Sequence, residues 1–226
     1  RSLRDGMERM STLKGEIVVV DNNSRDRTAS VALSVGARVV FEPVNQISRA
    51  RNAGTREAKG KYFLFVDADT KVHPRLLSRT LKTLHEEKVG AGGSTIRFDD
   101  DFPEAVSSAH LMERWNFLSL KFRIAAGSFL FCLSEAFENV GGFSEKVFAG
   151  EEIFLSIALK RWCRRNNRDF RILDEAPVVT SSRKLAWYSK GRLYAVVLLP
   201  ILCPFLLRSK SFCRFWYERP KSYSAN

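Results

Sequence analysis

The chain has 226 residues, 45% hydrophobic and 12% aromatic, which is enough for one sizeable core and too apolar for a disordered segment. Its net charge of +12 points to anionic partners, yet nine cations lie between Arg183 and Lys221 against the single carboxylate of Glu218; the near-balance elsewhere excludes a uniformly basic nucleic-acid binder. Cys132, Cys163, Cys203 and Cys213 are widely spaced and form no CxxC pair, which argues against a zinc site or a secreted disulfide framework and for reduced, buried thiols.

In chain order, Ser2 to Leu13 carries a helical stripe of Leu3, Met7, Met10 and Leu13. Glu16 to Val20 is a continuous apolar run of the kind found in strands buried on both faces. The turn-formers DNNSRDRT (21–28) follow, then a helix from Thr28 to Val35 stopped by Gly36, and a second strand from Ala37 to Phe41. Ser48 is placed to cap a helix whose face holds Ile47, Ala50, Gly54 and Ala58, and Lys59-Gly60 ends it before a strand at 62–66. Pro74, at the first-turn position proline tolerates, opens a helix with Leu77, Leu81 and Leu84 inward. Beyond it a strand is expected at Ser94 to Phe98, a long helix around Ala105 to Leu120, a strand at Ser128 to Leu133 and a helix at Glu151 to Trp162. Strand and helix alternating through the first ninety residues predict an α/β fold with a mostly parallel sheet flanked by helices.

Carboxylates stand at two strand ends: Asp21 after IVVV, and Asp67 and Asp69 after FLFV. Ligands of open α/β sheets bind beyond the carboxyl ends of the strands. Asp67 and Asp69 lie on one side of an extended chain, which suits a hard cation such as Mg²⁺ or Mn²⁺ shared with a diphosphate. Taken singly, Asp21 reads as a turn former, and Asp69 or Thr70 as a cap for the helix at Pro74. In the same way Glu151 and Glu152 are acids that favour the first turn of a helix.

Three stretches occur together: VVVDNNSRDRT, ISRARNAGTREAKGKYFLFVDADT and VGGFSEKVFAGEEIFLSIALKRW. In order and spacing they resemble the family 2 glycosyltransferases, whose nucleotide-sugar-binding fold is called GT-A, over roughly residues 2 to 180. The resemblance implies a three-layer α/β/α domain over 1–182 that transfers a sugar, with inversion and with a metal, from a nucleotide-diphosphate sugar to an acceptor hydroxyl. It implies that Asp21, Asn22 and Ser24 hold the base and ribose, with Asn22 where the family often has a second Asp. Arg51 would lie near the diphosphate, Asp67 near the ribose and metal, and Asp69 at the metal. Of the Gly150-Glu151-Glu152 segment, Glu152 would be the general base, one methylene longer than the family's usual Asp, with Glu151 the second catalytic candidate. The family normally begins with a further strand that Arg1-Ser2-Leu3 cannot supply, and the chain starts at Arg1 rather than Met, so an upstream piece is expected.

Two other readings remain for the same residues. A sugar-nucleotide-forming nucleotidyltransferase would use a similar fold. A nucleic-acid binder would use KRWCRRNNRDFR (160–171), but that run lacks an aromatic stacking pattern and suits a helix C-terminus.

Residues 183–226 form a basic, apolar, helical tail in this reading. LYAVVLLPILCPFLL (193–207) is uncharged, too short to span a bilayer and interrupted by Pro200 and Pro204. It is either a buried core helix or, with Phe212, Phe215, Trp216 and Tyr217 interleaved with Arg214 and Arg219, a peripheral contact with an anionic membrane surface. The second choice implies a cytoplasmic protein at the inner face of the membrane, with a lipid-linked or polysaccharide acceptor.

Overall fold

The computed structural model describes residues 2–10, 14–99, 101, 109–183, 191, 199 and 203–217. Helix α1 (Ser2–Glu8) leads to β1 (Val18–Asp21), α2 (Thr28–Ser34), β2 (Arg38–Phe41), α3 (Ile47–Glu57) and β3 (Tyr62–Val66). A two-residue strand β4 (Thr70–Lys71) precedes α4 (Pro74–Glu86) and β5 (Val89–Phe98). Then come α5 (Ala109–Phe122), β6 (Phe129–Leu133), α6 (Ser134–Asn139), α7 (Glu151–Arg165), β7 (Asp169–Thr180), a 3₁₀ turn (Pro204–Arg208) and α8 (Arg214–Tyr217).

The α/β class stands, while the strand pairing is mixed. β1 and β2 pair in parallel as their own two-stranded sheet. The other five run in the order β3-β6-β5-β7-β4, parallel between β5 and β7 and antiparallel elsewhere. The expected parallel alternation holds for the early strands and is lost because β6, from the second half of the chain, inserts antiparallel between β3 and β5. Among the described residues β1, β2, β3 and β4 each keep one unpaired edge.

The core lies on the larger sheet. Every residue of β6 is buried, and Phe129 and Phe131 are fully enclosed; burying each large apolar side chain stabilises by about 1.5–3 kcal/mol. Phe65 of β3 meets Phe137 and Phe143 at 5.3 and 4.9 Å between ring centroids. Helix α4 begins where Pro74 predicts, and the ring of His73 accepts from Arg75 N at 3.1 Å to close its first turn. Ser48 is not a cap: it lies inside α3, fully buried, and Gln46 holds the N-cap position. The four cysteines are free thiols, three of them buried.

Residues 183–226 are described only in part, and most of the run 193–207 lies outside the described residues. The described piece docks on the rest of the fold. Phe148 N donates to Leu207 O at 2.7 Å, Cys213 and Phe215 are buried, and Tyr217 OH donates to Phe148 O at 2.9 Å. Phe215 and Tyr217, expected at a lipid surface, are therefore packed into protein, because Tyr217 finds backbone partners there for its hydroxyl. Among the described residues no helix is long and apolar enough to cross a membrane.

Candidate functional site

Helix α3 is the hub of the site. Its N-cap, Gln46, is buried and donates from Nε2 to the carbonyls of Glu145 and Val147 at 2.9 and 2.8 Å. Asn52, on the same helix, clasps the Gly141-Gly142-Phe143 turn: its Nδ2 donates to Phe143 O and its Oδ1 accepts from Phe143 N, both at 3.0 Å. Gly142 has a φ of +72°, and a Cβ there would lie 2.9 Å from Asn52 Oδ1, so both conformation and space require glycine. Gly150 at the α7 N-cap has a φ of +71°, which turns the chain so that Glu151 and Glu152 open α7.

Arg51 ties the motifs together. Its guanidinium donates to Asp67 Oδ1 at 2.9 Å, to Glu151 Oε1 at 2.9 Å and to the carbonyl of Gly127 at 2.8 Å, and it sits 5.1 Å from the Phe143 ring centroid. Burial opposes the Arg51 charge, but Asp67 and Glu151 outweigh it and hold the pKa above its ordinary value. Glu151 is buried against this cation. Glu152 is half-buried and makes no ion pair among the described residues; burial, and then the Glu151 charge, push its carboxyl up to about 8, with Arg51 pulling the other way.

The remaining expected residues lie at the end of β1, in the turn after it, and just beyond the end of β3. Asp21 ends β1, and its Oδ1 accepts from Ser24 N at 2.9 Å, which shapes the turn. Asn22 is fully engaged as a clamp: Oδ1 accepts from Gln46 N, while Nδ2 donates to the carbonyls of Glu42 and Val44. That leaves no side-chain amide hydrogen on Asn22 for a nucleobase. Asp69 is exposed, with the Arg183 guanidinium 3.8 Å away. Arg51, expected near a diphosphate, makes its three hydrogen bonds within the chain.

Sequence reasoning missed Gln46, Gly127, Leu207 and Tyr217. Tyr217 OH also accepts from Ile47 N at 3.3 Å, so α8 buttresses both the start of α3 and the loop before Glu151. Burial, together with the nearby Glu151 charge, pushes the Tyr217 phenol up to about 12. No local pattern marks these residues, since their partners lie up to 170 positions away.

The pattern of Glycosyl transferase family 2 matches residues 2–141. The Haloferax volcanii glycosyltransferase AglE is 26% identical over 151 residues, covering 62% of this chain and 49% of that protein. The Rickettsia prowazekii glycosyltransferase RP339 is 30% identical over 73 residues, covering 31% of this chain and 23% of that protein. The chain thus spans about half or less of the curated relatives it matches. In fold it is similar to Mycobacterium tuberculosis glucosyl-3-phosphoglycerate synthase, solved with Mn²⁺, UDP-glucose and phosphoglyceric acid: the TM-score is 0.61 at 16% identity, covering 94% of this chain and 74% of that one. Staphylococcus aureus TarS 1-349 gives a TM-score of 0.55 at 20% identity, covering 93% and 66%.

Proposed function

This chain belongs to glycosyl transferase family 2, and from that premise we propose that it is a glycosyltransferase that moves a sugar from a nucleotide-diphosphate donor straight to an acceptor hydroxyl, with Glu152 as the proton acceptor. One observation carries this reading. Of the two acids that open α7, Arg51 engages Glu151 and leaves Glu152 half-buried, with its carboxyl raised to about 8. A base with a pKa near the working pH combines a useful ionised fraction with strong proton affinity, and is worth about 10²–10⁴-fold in rate.

In this reading the donor lies between the turn at Asp21 and the strand end carrying Asp67 and Asp69. Asp21 and Ser24 take the ribose and base, and Asn22 serves by fixing their turn against α3. Asp67 and Asp69 fit a divalent cation, Mg²⁺ or Mn²⁺. Among the described residues no group of three or more His, Cys, Asp or Glu could hold a metal alone, and a hard cation held by one or two carboxylates plus substrate phosphates matches that supply. When bound, the cation neutralises charge on the departing diphosphate. A fold neighbour solved with Mn²⁺ and UDP-glucose supports a divalent cation beside a nucleotide-sugar donor in this reading.

Arg51 acts by position. It holds Asp67 where donor and cation meet, and it fixes Glu151 so that Glu152 takes the acceptor side. Attack opposite the leaving group inverts the anomeric centre. The acceptor is a lipid-linked or polysaccharide hydroxyl in this reading. The test is nucleoside-diphosphate release from UDP-, GDP-, CDP- and TDP-sugars with Mn²⁺, comparing wild type with Glu152→Gln, with nucleic-acid binding as the counter-screen. Cation-dependent release lost in the variant supports the reading; release unchanged in Glu152→Gln contradicts it.

A further inference from the structure

The last turn of α5 breaks the usual pattern of a surface helix. Phe117, Leu118, Leu120 and Phe122 are 62%, 44%, 41% and 52% exposed, whereas the inward position between them holds the buried Ser119. The outward face therefore carries the large apolar side chains and the inward face a hydroxyl, which donates to Ile124 O at 2.7 Å. Among the described residues, hydrophobic burial does not account for this face.

Its charges are of one sign. Lys121 Nζ lies 5.6 Å from the Phe117 ring centroid and 5.7 Å from that of Phe122. Arg123 follows directly, and Lys160 of α7 donates to Phe122 O at 2.8 Å. From Arg114 to Ser134 the chain contains three cations and no carboxylate.

We infer that this end of α5 is a contact with an anionic lipid surface, in which the four apolar side chains enter the acyl boundary and Lys121 and Arg123 lie at the lipid phosphates. Aromatic tips beside cations, on a helix lying in the interface plane, suit that layer. A second copy of the chain fits less well. Four partly exposed side chains fall short of the ~800 Å² per partner that a stable protein interface buries, and Lys121 and Arg123 at this end would meet their own images.

The surface also lies close to the site. A few residues past α5, Gly127 O accepts from Arg51, and Ala125 N donates to Ser156 Oγ of α7 at 3.1 Å. Lipid contact at Phe117–Arg123 would hold the acceptor edge near the membrane. The inference does not depend on the roles of Glu152 or the cation, because it concerns attachment only.

Vesicle flotation of the full chain tests it, using vesicles of phosphatidylcholine alone and of phosphatidylcholine with phosphatidylglycerol. The wild type should float with the anionic vesicles and dissociate as salt rises. Phe117→Ser with Phe122→Ser should weaken partitioning at least about tenfold, and Lys121→Glu with Arg123→Glu about fivefold or more per cation while flattening the salt dependence. All four side chains are exposed, so circular dichroism and nucleotide-sugar hydrolysis should match wild type. A wild type that does not float, or variants that float equally well, would overturn the inference. So would a wild-type dimer that these variants convert to monomer, since the face would then belong to a second copy.

Discussion

Arg51 donates to Glu151 Oε1 at 2.9 Å, and both side chains are largely shielded from solvent, 13% and 5% exposed. In the proposed reading this pair separates two adjacent acids into a structural one, Glu151, and a chemical one, Glu152. Removing one partner of a buried ion pair leaves the other charge uncompensated and typically costs about 3–5 kcal/mol. Glu151→Gln should therefore lower the thermal midpoint clearly, whereas Glu152→Gln should leave it unchanged or raise it. Thermal unfolding of the two variants side by side checks this, and equal losses would contradict the division of labour.

The same pair sets a pH dependence. The Glu152 carboxyl is raised in the folded protein from an ordinary value of 4.5 to about 8, by burial first and the Glu151 charge second. Protonated Glu152 is thus favoured on folding, and its contribution to stability is fully present below pH 4.5 and lost as pH rises to about 8. Without added cation, wild type should lose stability across that window more steeply than Glu152→Gln, as read from denaturant midpoints. Parallel pH curves for the two proteins would count against the shift.

Asn52 joins α3 to the loop that delivers Gly150. Asn52→Ala removes both partners of the Phe143 backbone, and leaving buried polar groups unmade costs about 1–3 kcal/mol each. Gly142→Ala should destabilise as well, because an L side chain at its φ of +72° is strained and its Cβ meets Asn52. Both should reduce turnover more than donor affinity, since they move the Glu152 end of the site and leave Asp21 and Asp69 in place. Calorimetric donor binding beside steady-state rates separates the two effects.

Tyr217→Phe tests the buttress. It removes a bond to Phe148 O and one from Ile47 N, at about 0.5–1.5 kcal/mol each. The expected result is a lower midpoint with one cooperative transition; an unchanged midpoint would mean that α8 is not coupled to the catalytic fold.

Much of this was legible in the sequence, where chemistry is local. FLFVDAD announces a buried strand delivering carboxylates to its end, and Tyr62–Val66 is a strand with the bounds expected. Pro74 marks the start of α4. Strand β5 was read as starting at Ser94 rather than Val89, because VGAGG looks like a turn. Its glycines serve packing instead: a Cβ at Gly92 would fall 1.9 Å from Arg171 O on the neighbouring strand. Strand β7 went unseen because Asp169, Arg171, Asp174, Glu175 and Pro177 interrupt its apolar positions. The acids of the site were named from motif alone, but the role of Arg51 depends on contacts 16 and 100 positions away. Arg51 and Asp67 share one motif stretch, but Glu151 lies in another, and nothing in either shows that the three side chains meet.

The cation assignment makes its own demand. Nucleotide-diphosphate binding should strengthen with Mn²⁺, and Asp69→Ala should remove that dependence, as read by thermal shift with UDP, GDP, CDP and TDP. Equal binding in chelator would contradict it.

The central claim is that Glu152 takes the acceptor proton, and the most direct measurement is the turnover of Glu152→Gln on the donor that the wild type prefers, with Mn²⁺ saturating. The account predicts a fall in kcat of at least ~10² with donor affinity within a few-fold of wild type, because only the proton acceptor is removed. A Glu152→Gln enzyme that turns over at the wild-type rate would contradict the account.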